Sequence, residues 1–455
     1  MSLRDVITSG KFFTCSAEKL LTCIYEEAPR ELDRLKTAYS IPAREHASSS
    51  QPSPSCILFG KDYDEVNRTL VSIEALRKIH NDDYTGFADS QDPSLKLSHE
   101  SFSWIRAVYQ RVVVSHDDLY TLIISLIIND LGKSPTLAAD YQKAMGHVNL
   151  TRVNHDAILH RVVTQAPDLI PCLAQLAPDH RATLDLGIEV GASFNFGQLA
   201  QAENVPASLV GLDCVKGNPF AFEMHFLEQI FDVAGAAGHE DHEHAKKLTE
   251  PIFQSYKIVY EVAIEYINGQ LDRRGAYDAN LTRRMARMCR QQGWEKGEEL
   301  DVSNAEHRAL MRLLCICNAN TVGRAQLVWD AFYTHISEST RCQLVQGLNV
   351  DGSIESPAAQ VTYIPAVCDA ALSAGHRCDS ERKPVLGAVF GCLARMLTVT
   401  KADRASLPKN TAVIERDIKN LVTVRDCAKP KVLDYERPPP CQVAIVFPEP
   451  APLRD

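Results

Sequence analysis

HDDLYTLIISLIINDLGK, residues 116–133, sets an apolar helix between two polar clusters. His116-Asp117-Asp118 stands at one end and Asn129-Asp130 at the other. Leu119, Leu122, Ile123, Leu126 and Ile127 fall at helical spacing, and Ile124 and Ile128 fill the opposite side. A helix apolar nearly all round belongs in a protein core. About twelve residues are too few to cross a bilayer, which takes ~20. The polar groups at its ends are therefore expected to be hydrogen-bonded or to line a cavity, because unpaired burial costs roughly 2–7 kcal/mol. Capping explains Asp117 or Asp118 at the start and Gly132 as the stop. It accounts poorly for Asn129 and Asp130, which become candidate site residues.

The same 3.6-residue period recurs outward from this helix, from 66–80 through 356–372 to 384–398, while strand-like alternation is limited to pieces such as Gln442–Phe447. The expected class is all-α: a large multi-helix domain, with a degenerate HD-like scaffold as one version of it. The expected organisation is an N-terminal helical segment at 1–39, a low-complexity linker at 40–55, a main helical domain at 60–425 and a Pro-rich extended tail at 428–455. At 455 residues, 45% apolar and 23% charged, the chain can bury a substantial core. Its 14 cysteines lack paired CxxC spacing, and several sit within apolar runs, as reduced core residues do. No apolar leader opens the chain, so a cytoplasmic location is expected. A net charge of −10 does not suit a general nucleic-acid binder, and neither DNA nor membrane is an expected partner.

Polar residues recur on other apolar helices. In the 223–232 stretch His225, Glu228 and Asp232 share one face at i, i+3 and i+7, with Glu223 two residues before and His239 just beyond. His155 opens another helix. Gln198, Gln201 and Glu203 lie on a helix of small residues that permits close packing. The reading assigns catalytic roles to His116, Asp130, His155, Glu228, Asp232 and His239. Substrate contacts go to Asp117, Asn129, Gln198, Gln201, Glu203, Glu223 and His225. Asp130, Glu228 and Asp232 are expected to meet around one pocket, with His116, His155 and His239 at its rim. Arg283, Arg287 and Arg290 repeat at i, i+4 and i+7, a face suited to phosphates if exposed, with Lys246-Lys247, Arg308, Arg312 and Arg324 as weaker basic alternatives. No phosphate-binding glycine loop, GxSxG or HExxH occurs, so no nucleotide cofactor is expected.

Two resemblances carry functional expectations. The order His116, Asn129-Asp130-Leu131-Gly132-Lys133, His155 and Asp232 is similar to the HD class of metal-dependent phosphohydrolases, with Asn129 where that class has a metal-binding His. Over more of the chain, residues 115–133, 196–209 and 223–239 resemble fungal arginine-containing cyclodipeptide synthases, though the DDxxE motif associated with them is not intact. The nearest pieces are Asp117-Asp118 and Glu240-Asp241-His242-Glu243. That resemblance implies condensation of arginyl-tRNA with a second aminoacyl-tRNA into a cyclic dipeptide, with charged tRNAs as partners, no cofactor, and a carboxylate-lined arginyl pocket from Glu223, Glu228 and Asp232. The HD-like alternative implies a bound metal and a small phosphorylated substrate. A helical protein that binds a small ligand in a polar cavity is the reading outside enzymology.

Overall fold

Ser115 opens the His116–Ile128 helix with a reciprocal cap: its hydroxyl accepts the Asp118 N–H at 3.0 Å, and its own N–H donates to the Asp118 carboxylate at 2.8 Å. From Asp118 to Ile128 every residue is buried, as an all-round apolar helix requires. The chain then turns tightly through Leu131–Lys133, carrying Asp130 inward at only 7% exposure. The computed structural model describes residues 2–40, 51–146, 148–151, 153–373, 378–419 and 442–446. Most of the 40–55 linker and of the 428–455 tail therefore lies outside the described residues.

The chain divides into two compact units. The first takes 1–193 and 214–254, and the second takes 194–213 and 255–455. One main domain over 60–425 was the expectation; the division differs because helical periodicity marks helices and not the core each one joins. In the first unit the Asp64–His80 helix packs lengthwise on the Pro219–Gly235 helix, which also meets His116–Ile128 and Pro178–Ser193. Glycine sets how closely they approach. A Cβ on Gly235 would stand 2.1 Å from Ser72 Oγ and 2.5 Å from the Arg68 carbonyl oxygen. A Cβ on Gly132 would stand 1.9 Å from the carbonyl oxygen of His155, at the start of the His155–Gln165 helix.

The second unit is also mainly helical. Strand among the described residues is confined to one three-stranded sheet. β1 (Ala358–Thr362) runs parallel to β2 (Thr411–Asp417), pairing Ala358 with Val413 and Thr362 with Asp417, and β3 (Gln442–Val446) returns antiparallel to β2. The 356–372 segment was expected to be one helix; it is β1 followed by the Ile364–Ser373 helix. Every β1 residue is buried, so the strand has no exposed polar face to show a two-residue period. The predominantly α class holds. No single described helix is long and apolar enough to cross a membrane.

If the glycine contacts set the spacing, Gly235→Ala will destabilise the fold by about 1–3 kcal/mol, as overpacking does. Gly323→Ala, where nothing lies within 4 Å, will be nearly neutral. Urea unfolding of both variants checks this, and equal midpoints would refute it.

Candidate functional site

Asp130, which the 116–133 turn drives inward, sits in a buried charge cluster within the first unit. Lys133 Nζ lies 2.8 Å from Asp130 Oδ1 and 3.3 Å from Glu65 Oε2. Glu65 also accepts from Arg68, one turn along the Asp64–His80 helix. His155 Nε2 stands 3.3 Å from Asp156 Oδ1 and 3.9 Å from Asp130 Oδ1, and its Nδ1 is 3.4 Å from the Tyr39 hydroxyl. The His155 and Asp156 side chains keep 29% and 32% exposure, so the cluster reaches water on that side.

More carboxylates than cations share this space, and burial decides who keeps a proton. Burial and then the charge of Asp130 push Glu65 up to about 7, and the same two causes push Asp156 up to about 7 and Asp232 up to about 6. Burial would raise Asp130 too, but Lys133, a hydrogen bond with Glu65 and the Arg68 charge hold it below the usual carboxylate range. The balance therefore favours Glu65 over Asp130 as the group that takes up a proton. Burial would likewise lower Lys133, yet Asp130 and Glu65 outweigh it and raise it.

Behind this cluster, Glu228 joins two helices: its Oε2 accepts from Ser125 Oγ at 2.7 Å and lies 3.1 Å from His225 Nδ1. His225 fits against Gly187 and Gly191, where an added Cβ would sit 3.4 Å from its Cβ and 3.4 Å from its ring carbon Cε1, respectively. His239 is half-buried with no hydrogen-bond partner on either ring nitrogen; burial lowers it, while the charge of Asp64 raises it. Gly238, packed on the backbone of Asn67 and Arg68, sets His239 beside the same helix.

Several expected members lie elsewhere. His116 is exposed at the far end of its 13-residue helix, about 20 Å from Asp130 at 1.5 Å per residue. Asp117 pairs with Arg4, and Asn129 is half-buried as the helix C-cap. Glu223 pairs with Arg111 at 2.7 Å, toward the start of the Pro219–Gly235 helix. A three-carboxylate pocket from Glu223, Glu228 and Asp232 therefore does not form as expected. Gln198, Gln201 and Glu203 belong to the second unit, where they line a separate cavity of about 390 Å³.

The expected open arginine face is largely engaged. Arg283 is half-buried and grips the Glu265 carboxylate at 2.6 and 2.8 Å, with Glu261 at 3.8 Å. Arg287 is half-buried, and Arg290 is exposed. Arg308 and Arg312, each 1% exposed, are internal braces rather than a basic surface. Spacing along one helix cannot reveal acidic partners on another. Glu65, Arg68, Lys133 and Asp156 are site residues that sequence reasoning did not assign. Lys133 and Asp156 adjoin assigned positions, whereas Glu65 and Arg68 sit in an ordinary-looking polar helical pattern.

Among the described residues, no three His, Cys, Asp or Glu side chains converge with metal-ligand geometry. Fold and site together define a predominantly helical protein with an enclosed acid–base cluster in one unit and a polar cavity in the other. The chain belongs to DUF6829, a family of unknown function whose model matches residues 21–432. No curated protein and no solved structure matches it.

The three raised carboxylates make stability depend on pH. Each holds a proton in the fold where the unfolded chain, titrating near pH 4, has lost its own. Their contribution is full below that value and falls away as pH rises through 6 to 7. The melting temperature should therefore drop between pH 5 and 8, and Asp232→Asn, which carries no ionisable proton there, should flatten the drop. An unchanged slope in that variant would count against the shared burial of Asp232 and Asp130.

Proposed function

We propose that this chain is a cytoplasmic aminoacyltransferase that condenses arginyl-tRNA with a second aminoacyl-tRNA into an arginine-containing cyclic dipeptide. The observation that carries this reading is His155, a half-exposed imidazole backed by the Asp156 and Asp130 carboxylates and by the Tyr39 hydroxyl. It matches what peptide-bond formation from an ester requires. A base takes a proton from the ammonium group of one aminoacyl ester, and the freed amine attacks the carbonyl carbon of the other. The tRNA 3′ oxygen then leaves as an alcohol. Repetition within the resulting dipeptidyl ester closes the ring, and the ester supplies the driving force without a nucleotide. Asp130, held ionised 3.9 Å from His155, stabilises the imidazolium formed when it accepts the proton. The resemblance of residues 115–133, 196–209 and 223–239 to the fungal synthases supports the same reading. For tRNA contact, Arg290 is the exposed member of its helical face.

The HD-like phosphohydrolase reading draws on one observation: Asp130 and Asp232, in the order that class uses, act on each other in one buried cluster. Against it stand Asn129 in place of an imidazole and Lys133 seated on Asp130.

Expression in a bacterial host should yield a new arginine-containing diketopiperazine by mass spectrometry of the medium. His155→Ala should lower it by about 10²-fold or more, the usual contribution of a general base, with an unchanged circular dichroism spectrum. Full yield from folded His155→Ala would remove His155 from the mechanism. No diketopiperazine, together with metal-dependent phosphate release abolished by chelation, would replace this reading with the hydrolase.

A further inference from the structure

The cavity of about 390 Å³ in the second unit is framed by two helix ends and the strained residue Tyr363. Asn318 (φ +47°) and Tyr363 (φ +75°) line it, and Ala202 (φ +50°) lies in the chain between lining residues Gln201 and Glu203. Non-glycine residues in the left-handed region cost of order 1 kcal/mol or more, and they persist where the surroundings over-determine them. Here the surroundings do. Tyr277 Oη donates to the carbonyls of Ala202 and Asn204 at 3.0 and 2.8 Å, and Arg312 Nε donates to Ala202 O at 3.0 Å. Glu203 in turn accepts the Tyr363 N–H at the head of the Ile364–Ser373 helix. Ala202 and Asn318 are left-handed helix stops, where Glu203 N–H bonds Gln198 O and Ala319 N–H bonds Leu314 O, so Tyr363 is the residue whose strain marks the cavity, as strain does at ligand clamps.

The lining also selects a chemistry. Gln198 Oε1 accepts from Gln360 Nε2 at 3.1 Å, while the side-chain amides of Gln201 and Asn318 have no partner among the described residues. Glu203 is 6% exposed, and the groups acting on it most strongly are backbone N–H donors and the further carboxylates Glu415 and Asp417. Burial, with those carboxylates adding, pushes it up to about 8. In the first unit Lys133 and Arg68 neutralise the buried carboxylates. Glu203 has no such lysine or arginine among its strongest influences. A ligand cation seated beside Glu203 would favour its ionised form and pair with it, and a planar or compact nitrogen donor would also satisfy the amide carbonyls. The volume falls in the range of small-molecule sites, roughly 300–1,000 Å³.

We propose that this cavity binds a small organic cation, an amine or guanidine of amino-acid size, held by the Glu203 carboxylate and the Gln201 and Asn318 amides. The inference needs nothing of the aminoacyl-transfer reading. Titration calorimetry and thermal shift on the full chain test it, with agmatine and putrescine as cations and glutarate as a size-matched anion. Both cations should bind at millimolar concentration or below and raise the melting temperature, with agmatine ahead if the ligand is a guanidine and putrescine ahead if it is an amine. Glu203→Gln keeps an acceptor for the Tyr363 N–H and should weaken binding at least about tenfold, as loss of a charge-assisted hydrogen bond does. Gln201→Leu, at a half-buried position, should block the cavity without lowering the melting temperature of the free protein. No binding of either cation, glutarate bound as tightly, or binding unchanged in both variants would overturn the proposal.

Discussion

Lys133 Nζ, seated between the carboxylates of Asp130 and Glu65, is the contact on which the first unit depends. Isolated charges are expensive to bury, and a cluster of carboxylates survives inside a core only with counter-ions and hydrogen bonds in place. Everything around Lys133 serves that condition. The tight turn after the His116–Ile128 helix delivers Asp130 and Lys133 together. Gly132, by lacking a side chain, lets that turn meet the start of the His155–Gln165 helix and so brings His155 and Asp156 to the same place. Gly235 does the same for the other pair of helices, setting Asp232 near Arg68. Small residues and one lysine thus convert four helix ends and faces into a single electrostatic unit.

Much of this was legible in the residues, and what was not has identifiable causes. The buried helix and the inward placement of Asp130 followed from apolar periodicity with polar residues at its ends. The shared face of His225 and Glu228 followed from helical spacing, and the two side chains do meet, at 3.1 Å. His116 stands apart from the cluster because a straight helix separates its two ends, which apolar periodicity alone leaves equivalent. The arginine face was misjudged because a sequence shows which residues share a face and not what lies opposite: Glu261 and Glu265 come from the preceding helix. β1 escaped because a strand buried on both sides carries no alternation. Glu65 and Arg68 escaped because their significance is wholly tertiary.

The two units treat buried charge differently. The first encloses its carboxylates with its own lysine and arginine and lets protons settle the remainder. In the second, fully buried arginines grip carbonyls and carboxylates together: Arg312 holds the Ala202 and Leu348 carbonyls, Arg308 pairs with Asp278, and Arg416 joins the Met396 carbonyl to Asp403. Those guanidiniums tie down helix C-termini and the 202–204 turn, which is a use of multiple fixed donors that a lysine would not reproduce.

The interleaved division of the chain bears on its synthesis. Residues 194–213 belong to the second unit although 214–254 return to the first, so neither unit is a continuous stretch. A ribosome must pass residue 254 before the first unit can close, and until then the Asp64–His80 helix waits for its 219–235 partner with Glu65 and Arg68 unburied. Domains usually fold as they emerge. Here the 194–213 segment must be held in reserve while the chain completes one unit and begins the other, so folding order is written into the connectivity itself.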